Sequence, residues 1–268
     1  MTIENKALYN LFKSVKIPYN NGIYGLYLEG FNGGINAYVT DGIAVSRKTF
    51  YGDNKKEFVS YFHSWQKKDG YSSDIETLGE KDSRNFLPKL KAYLELEKYN
   101  KFTVNAKEFK QAIRAVSAVH KGERGDRHIT LSIHNGKFDI ASWINGESAV
   151  WQLDGEYQAS GAVCISKFYM DCIKADKMIE FSYSKMDNRI ALNVKSDIES
   201  VIMPRVVDPA EFKEVLQYEY TMPEKPVEVE IIPTEQVKKP ARRRMPKPVD
   251  TRWKSNRLGT KQTMVCKW

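Results

Sequence analysis

Histidines, cysteines and paired acids are where catalysis or metal binding would have to begin. The histidines are His63, His120, His128 and His134; the cysteines are Cys164, Cys172 and Cys266. His128 and His134 fall on one face of a strand pattern. No carboxylate or cysteine stands at ligand spacing from them, so they read as a surface pair and not as a metal site. Cys164 and Cys172 occupy apolar positions of a strand and a helix, where buried structural thiols are the rule. With no CxxC and no paired spacing, the cysteines imply no disulfide framework and a reducing compartment. No GxxxxGK[ST], GxGxxG, HExxH or GxSxG motif occurs, and the acids are scattered. The expectation is a non-enzyme with no cofactor and no metal.

The residues that do form a pattern are cations. On a wheel of 100° per residue, Lys110, Arg114 and Lys121 fall within about 60° of Lys107. Phe109, Ala112, Ile113, Val116 and Val119 fall opposite. Around Lys6 the same wheel places Lys13 and Lys16 on one side and Leu8, Leu11, Phe12 and Val15 on the other. Across the two helices a single acid, Glu108, opposes seven cations. An ordinary solvated face mixes signs. The overall charge is +8, but from Lys238 onward eleven cations stand against Asp250 alone, so that segment carries +10 and residues 1–237 carry −2. Single-sign helix faces on a slightly acidic body point to phosphate contact. Lys174 and Lys177, on a further helix, are weaker candidates beside Asp171 and Asp176. In the tail, Arg242, Arg243 and Arg244 are candidates for weak, salt-sensitive contact with nucleic acid.

The elements that must carry these residues read as α+β. From 100 to 207 the order is strand, helix, four strands, helix, three strands. Asn105 is the expected N-cap of the helix in "NAKEFKQAIRAVSAVHK", and Asn135-Gly136 the expected hairpin turn. The start of the chain repeats this grammar: "NKALYNLFKSV" aligns with "AKEFKQAIRAV", and "NGGINAYV" with "NGKFDIAS". Farther on the repeat fails. "KKEFVSYFHSWQKKDG" and "RNFLPKLKAYLELEKY" both read as helix. The expected units are therefore an N-terminal module at 1–99 with a divergent second half, a C-terminal module at 100–207, and a Pro-rich basic tail at 208–268. The tail reads as mostly extended or disordered, apart from a short helix in "DPAEFKEVLQYEY" capped by Asp208. No apolar run is long enough to span a membrane, and the first residues lack the layout of a signal peptide. Both suggest a cytoplasmic protein, in a host cytoplasm if viral.

The order of elements in 100–207, the run "FTVNAKEFKQAIRAVS" and the ending "VIMPRV" together resemble a module of the DNA sliding clamps. The likeness to the bacterial DNA polymerase III beta subunit is good over 100–207, weaker over 1–50 and poor over 51–99. It implies a DNA clamp fold: two modules of antiparallel sheet with helices on one face, plus the tail. It also implies a processivity factor whose ring encircles double-stranded DNA without base readout, tethers a replicative polymerase and is opened by a clamp loader. Two modules per chain imply a phage-type homotrimer. Bacterial clamps take clients in an apolar outer pocket walled by a terminal Met-Pro-Met-Arg segment. Carried over, this points to Val201, Met203, Pro204 and Arg205, although the second Met is missing here and the chain runs on. Gln262, Val265 and Trp268 are spaced like the peptides that clients insert into clamps, with one aromatic where two are common. Two other readings stand beside this one. The first is a clamp-fold replication or transcription adaptor that closes no ring. The second is a non-specific nucleic-acid binder driven by its tail.

Overall fold

Asn135 and Gly136 both take positive φ, 50° and 76°, the geometry that joins two strands with the right twist. They close the hairpin of β6 (His128–His134) and β7 (Lys137–Ile144). Asn145-Gly146, at 51° and 81°, turns β7 into β8 (Glu147–Leu153). With β9 (Gly161–Ser166) these strands form a sheet in the order β8-β7-β6-β9. The helix α3 (Ala106–Val116) precedes them. The Asn105 side chain accepts from the backbone N–H groups of Lys107 (2.9 Å) and Glu108 (3.2 Å), as an N-cap should.

The same arrangement occurs earlier. Helix α1 (Asn5–Phe12) leads into β1 (Gly25–Phe31), β2 (Gly34–Thr40), β3 (Ala44–Tyr51) and β4 (Phe58–Phe62), in the sheet order β4-β1-β2-β3. Strand for strand this matches α3 with β9-β6-β7-β8, and the Asn32-Gly33 and Asn135-Gly136 turns coincide. The sequence repeat is a repeat of structure. The computed structural model describes residues 5–16, 25–62, 78–79, 81–82, 85–120, 127–186 and 189–224.

After β9 the C-terminal half adds α4 (Lys167–Cys172), β10 (Met178–Met186), β11 (Arg189–Lys195) and β12 (Glu199–Ile202). Together with β5 (Lys98–Asn105) the strands run β12-β11-β10-β5. Among the described residues the N-terminal half has no counterpart to this second sheet. Between β4 and β5 the described residues form one helix, α2 (Leu87–Leu94). β12 pairs with β3 and fuses the two sets into an eight-stranded sheet. At this seam the hydroxyls of Ser46 and Ser200 lie 2.7 Å apart, and Glu199 is paired with both Arg47 and Lys98. Burial alone would raise the Glu199 carboxyl. The Lys98 hydrogen bond and the two positive charges outweigh it and hold the group below its usual range.

Strand alternation divides the apolar residues between faces. Leu26, Leu28, Ile35 and Leu192 of the large sheet share one core with Ile129, Leu131, Phe138 and Ile140 of the small one, and with Leu8, Phe109 and Tyr169 of α1, α3 and α4. On the large sheet's other face, Tyr27, Tyr38, Val45 and Val201 pack under Leu87, Leu90 and Leu94 of α2. On the small sheet's other face, Trp143, Ala162 and Cys164 pack under Phe212 and Leu216 of α5 (Pro209–Leu216), which Asp208 caps at 2.8 Å from the Ala210 N–H.

Three expectations need correction. Residues 58–62 of the expected helix "KKEFVSYFHSWQKKDG" are strand β4: aromatic and branched residues alternate there, and β4 pairs with β1. The boundary between 99 and 100 falls inside β5. The boundary after 207 is too early, because 208–224 are built into the core. Ala162 N–H donates to the Thr221 carbonyl (2.8 Å), and Asn100 Nδ2 to that of Glu224 (2.9 Å). The described residues, from 5 to 224, belong to one compact unit. Lys121, Arg242, Arg243, Arg244 and the spaced residues Gln262, Val265 and Trp268 lie outside the described residues.

Candidate nucleic-acid interface

The amphipathic wheels translate directly into positions. Leu8, Leu11, Phe12 and Val15 are buried, as are Phe109, Ala112, Ile113 and Val116, while Lys6, Lys13, Lys107 and Arg114 are exposed. The helices are tied side by side. Cys172 Sγ, just inside the end of α4, donates to the Lys13 carbonyl (3.3 Å), and Lys110 Nζ donates to the Ala175 carbonyl (3.0 Å). Lys110, Arg114 and Lys174 line one shallow groove between α3 and α4. Asp171, the acid in that groove, is paired with Lys167 one turn earlier on α4. Over residues 5–16, 106–116 and 167–177, nine cations stand against Glu108, Asp171 and Asp176.

Asp41 sets the angle between the N-terminal helix and the rest. It is 3% exposed. Its carboxylate accepts from the Lys16 N–H (2.6 Å), the Ile43 and Ala44 N–H groups (2.9 and 2.8 Å) and the Tyr169 hydroxyl (2.8 Å). It therefore joins the exit of α1, the β2–β3 turn and α4. A buried carboxylate satisfied by four donors is a rigid joint. Sequence reading missed it; the Asp-Gly turn between two strand patterns was the available signal.

Not every predicted cation belongs to the stripe. Lys16 is half-buried, with its ammonium 5.7 Å from the Phe168 ring centre and 6.0 Å from that of Tyr169. Lys110 is half-buried as well, and its amine serves the α3–α4 contact. Lys177 lies in a different groove, of mixed sign, with Glu180, Lys195 and Asp197. The described histidines sit in packing contacts: His120 is buried against the Ser142 hydroxyl, His128 packs edge-on to Trp143, and His134 stacks on Tyr218 at 4.2 Å. Burial, then the charge of Asp171, pushes the Cys172 thiol up to about 11, which makes it a poor nucleophile. Among the described residues no group of histidines, cysteines and acids is arranged to hold a metal ion, and no helix is long and apolar enough to cross a membrane.

On the opposite side of the large sheet, Val201 and Met203 wall a cavity of about 340 Å³ together with Ile43, Val45, Phe86 and Tyr93. Met203 is fixed there by its N–H bond to the Ile43 carbonyl (2.9 Å). Two other residues predicted for this pocket are elsewhere. Pro204 does not line it. Arg205 is exposed, its N–H bonded to the Cys164 carbonyl (2.8 Å) at the edge of the small sheet. The wall contributed by α2 went unread, because nothing in a helical pattern tells which face of a sheet it will cover.

No protein-family model matches the chain, and no curated protein matches it. Solved structures do. A sliding clamp (DNA polymerase III subunit beta) from Pseudomonas aeruginosa bound to griselimycin superimposes with a TM-score of 0.58 at 13% identity, over 77% of this chain and 65% of that one. The subunit beta of Borrelia burgdorferi, in complex with a natural product, gives 0.56 at 13% identity over 78% and 63%. A putative beta subunit from Eubacterium rectale gives 0.57 at 10% identity over 77% and 65%. The chain thus spans a little under two thirds of the length of these clamps. At such identities the likeness is one of architecture, and it agrees with the repeated helix-and-sheet unit described above. This chain has the α+β fold of the DNA sliding clamps.

Proposed function

We propose that the protein is a DNA polymerase processivity factor that holds duplex DNA against the face of α1, α3 and α4. The observation that carries this is the nine-to-three excess of cations on three adjacent helices and the segments that leave them, in a body whose net charge is negative. Lysine and arginine side chains on mobile stems neutralise phosphates without reading bases, which suits a protein that slides. Lys6, Lys13, Lys107, Arg114 and Lys174 are the exposed members of the stripe; Lys16 and Lys110 are half-buried, and Lys177, though exposed, faces a different groove, so these three contribute less. The protein has no catalytic step in this reading. Its clients, a replicative polymerase first, dock in the cavity walled by Val201 and Met203, and a clamp loader opens the assembly. Arg242, Arg243 and Arg244 add salt-sensitive affinity for nucleic acid.

The assembly proposed is a closed ring of three chains. Head-to-tail contacts that close generate such a ring. The end strand β8 pairs only with β7 among the described residues, and it exposes Val150 (46%) and Trp151 (37%). An open apolar edge of this kind invites a partner strand. One observation favours the adaptor that closes no ring: the N-terminal half lacks the second sheet among the described residues. Light scattering of the full chain at micromolar concentration separates the two. Three chain masses are expected, and a single chain mass, unchanged by added DNA, would overturn the ring.

A further inference from the structure

We infer that the outer cavity takes an extended peptide whose apolar anchor is flanked by acidic residues, and that Lys89 of α2 and Arg189 of β11 confer this preference. The inference rests on the reading of that cavity as the client-docking site. Val45 and Met203 floor it, and Phe86 and Tyr93 supply an aromatic wall. Among the described residues the charged ones at its rim are Lys89 and Arg189, both exposed, and no acid lines it. Asp41 lies between two lining residues, but its carboxylate is taken up by the Tyr169 hydroxyl and the Lys16, Ile43 and Ala44 N–H groups. Lys89 rises from α2 over the Phe86 ring, 6.0 Å from its centre. Arg189 enters from the start of β11, a separate element. Two cations from different elements beside an apolar floor bind a strip of apolar side chains with carboxylates at its flanks. They repel a basic strip. Because α2 lies in the chain between β4 and β5, where the N-terminal half departs from the C-terminal one, the Lys89 share of this selectivity belongs to the divergent part of the chain.

The probes are two fluorescein-labelled decapeptides with the same short apolar core, one flanked by aspartates and its twin by lysines. They are titrated by anisotropy against the full chain, against Lys89→Glu/Arg189→Glu, and against Met203→Asp. The aspartate peptide should bind the full chain about three- to tenfold more tightly than the twin, the size expected of two exposed ion pairs. The double reversal should invert that preference, and both rim residues are exposed, so its fold should be intact. Met203→Asp should weaken both peptides. If both bind equally, ignore the double reversal and are lost with Met203→Asp, the cavity is a docking site and the charge selectivity is wrong. If neither binds the full chain, the docking reading itself fails.

Discussion

A chain cut after Val207 is expected to lose cooperative unfolding, whereas one cut after Val227 keeps it. The residues between carry α5 and the segment that leads away from it. Phe212 is fully buried, its ring 6.5 Å from Trp143, 5.6 Å from Tyr218 and 5.1 Å from Tyr220. Beneath lie Ala162 and Cys164 on the outer face of β9. The chain then passes so close to Gly161, at φ 106°, that a Cβ there would sit 2.5 Å from the Pro223 nitrogen. Removing this cover exposes the outer face of the small sheet and the edge of β9 together. The single change Phe212→Ala should cost about 3–5 kcal/mol through lost burial and a residual cavity. That is a large part of the roughly 5–15 kcal/mol that holds an ordinary domain together. Urea denaturation followed by circular dichroism reads both. An unchanged midpoint for Phe212→Ala, or a stable chain ending at 207, would show that α5 is an appendage.

Reversing Lys107, Arg114 and Lys174 to glutamate should leave folding unaffected and remove most of the affinity for duplex DNA. All three are exposed, and the two on α3 lie opposite its buried face, so the core does not need them. Lys110 is left in place because its amine bonds the Ala175 carbonyl. Each phosphate contact contributes about one unit to the salt slope, so the plot of log affinity against log salt should flatten by about three units. Fluorescence anisotropy on a short duplex, run as a salt series, measures it. A slope unchanged in the folded triple variant would move the DNA to another surface, the tail being the first candidate.

The clamp architecture was legible where local rules and global packing agree. In α3 the N-cap, the apolar stripe and the basic stripe were all readable, because an amphipathic helix at the surface obeys one periodicity. The Asn-Gly hairpin and the alternation of β6 and β7 were equally plain. The N-terminal copy was visible mainly through α1 and the Asn32-Gly33 turn. "FVSYF" was read as helix because its strand identity comes from pairing with β1, a long-range fact. The placement of α2 and α5 on the outer sheet faces was unreadable for a related reason. Both faces of each sheet are covered, and a strand's own pattern does not announce which helix covers which side. Of the candidate site, the cation stripe was in the sequence. The Asp41 joint and the aromatic wall from Phe86 and Tyr93 arise only when distant segments meet.

The central claim, that duplex DNA lies on the helix face, is tested most directly by site-specific photocrosslinking. A photoreactive side chain is placed at Gln111 on α3, at Ala92 on α2 or at Glu214 on α5, all of them exposed. Each variant is irradiated with a short linear duplex, over whose ends a closed assembly can thread. Crosslinks from Gln111 and none from Ala92 or Glu214 are predicted. Crosslinks from Ala92 or Glu214 with none from Gln111 would contradict the account.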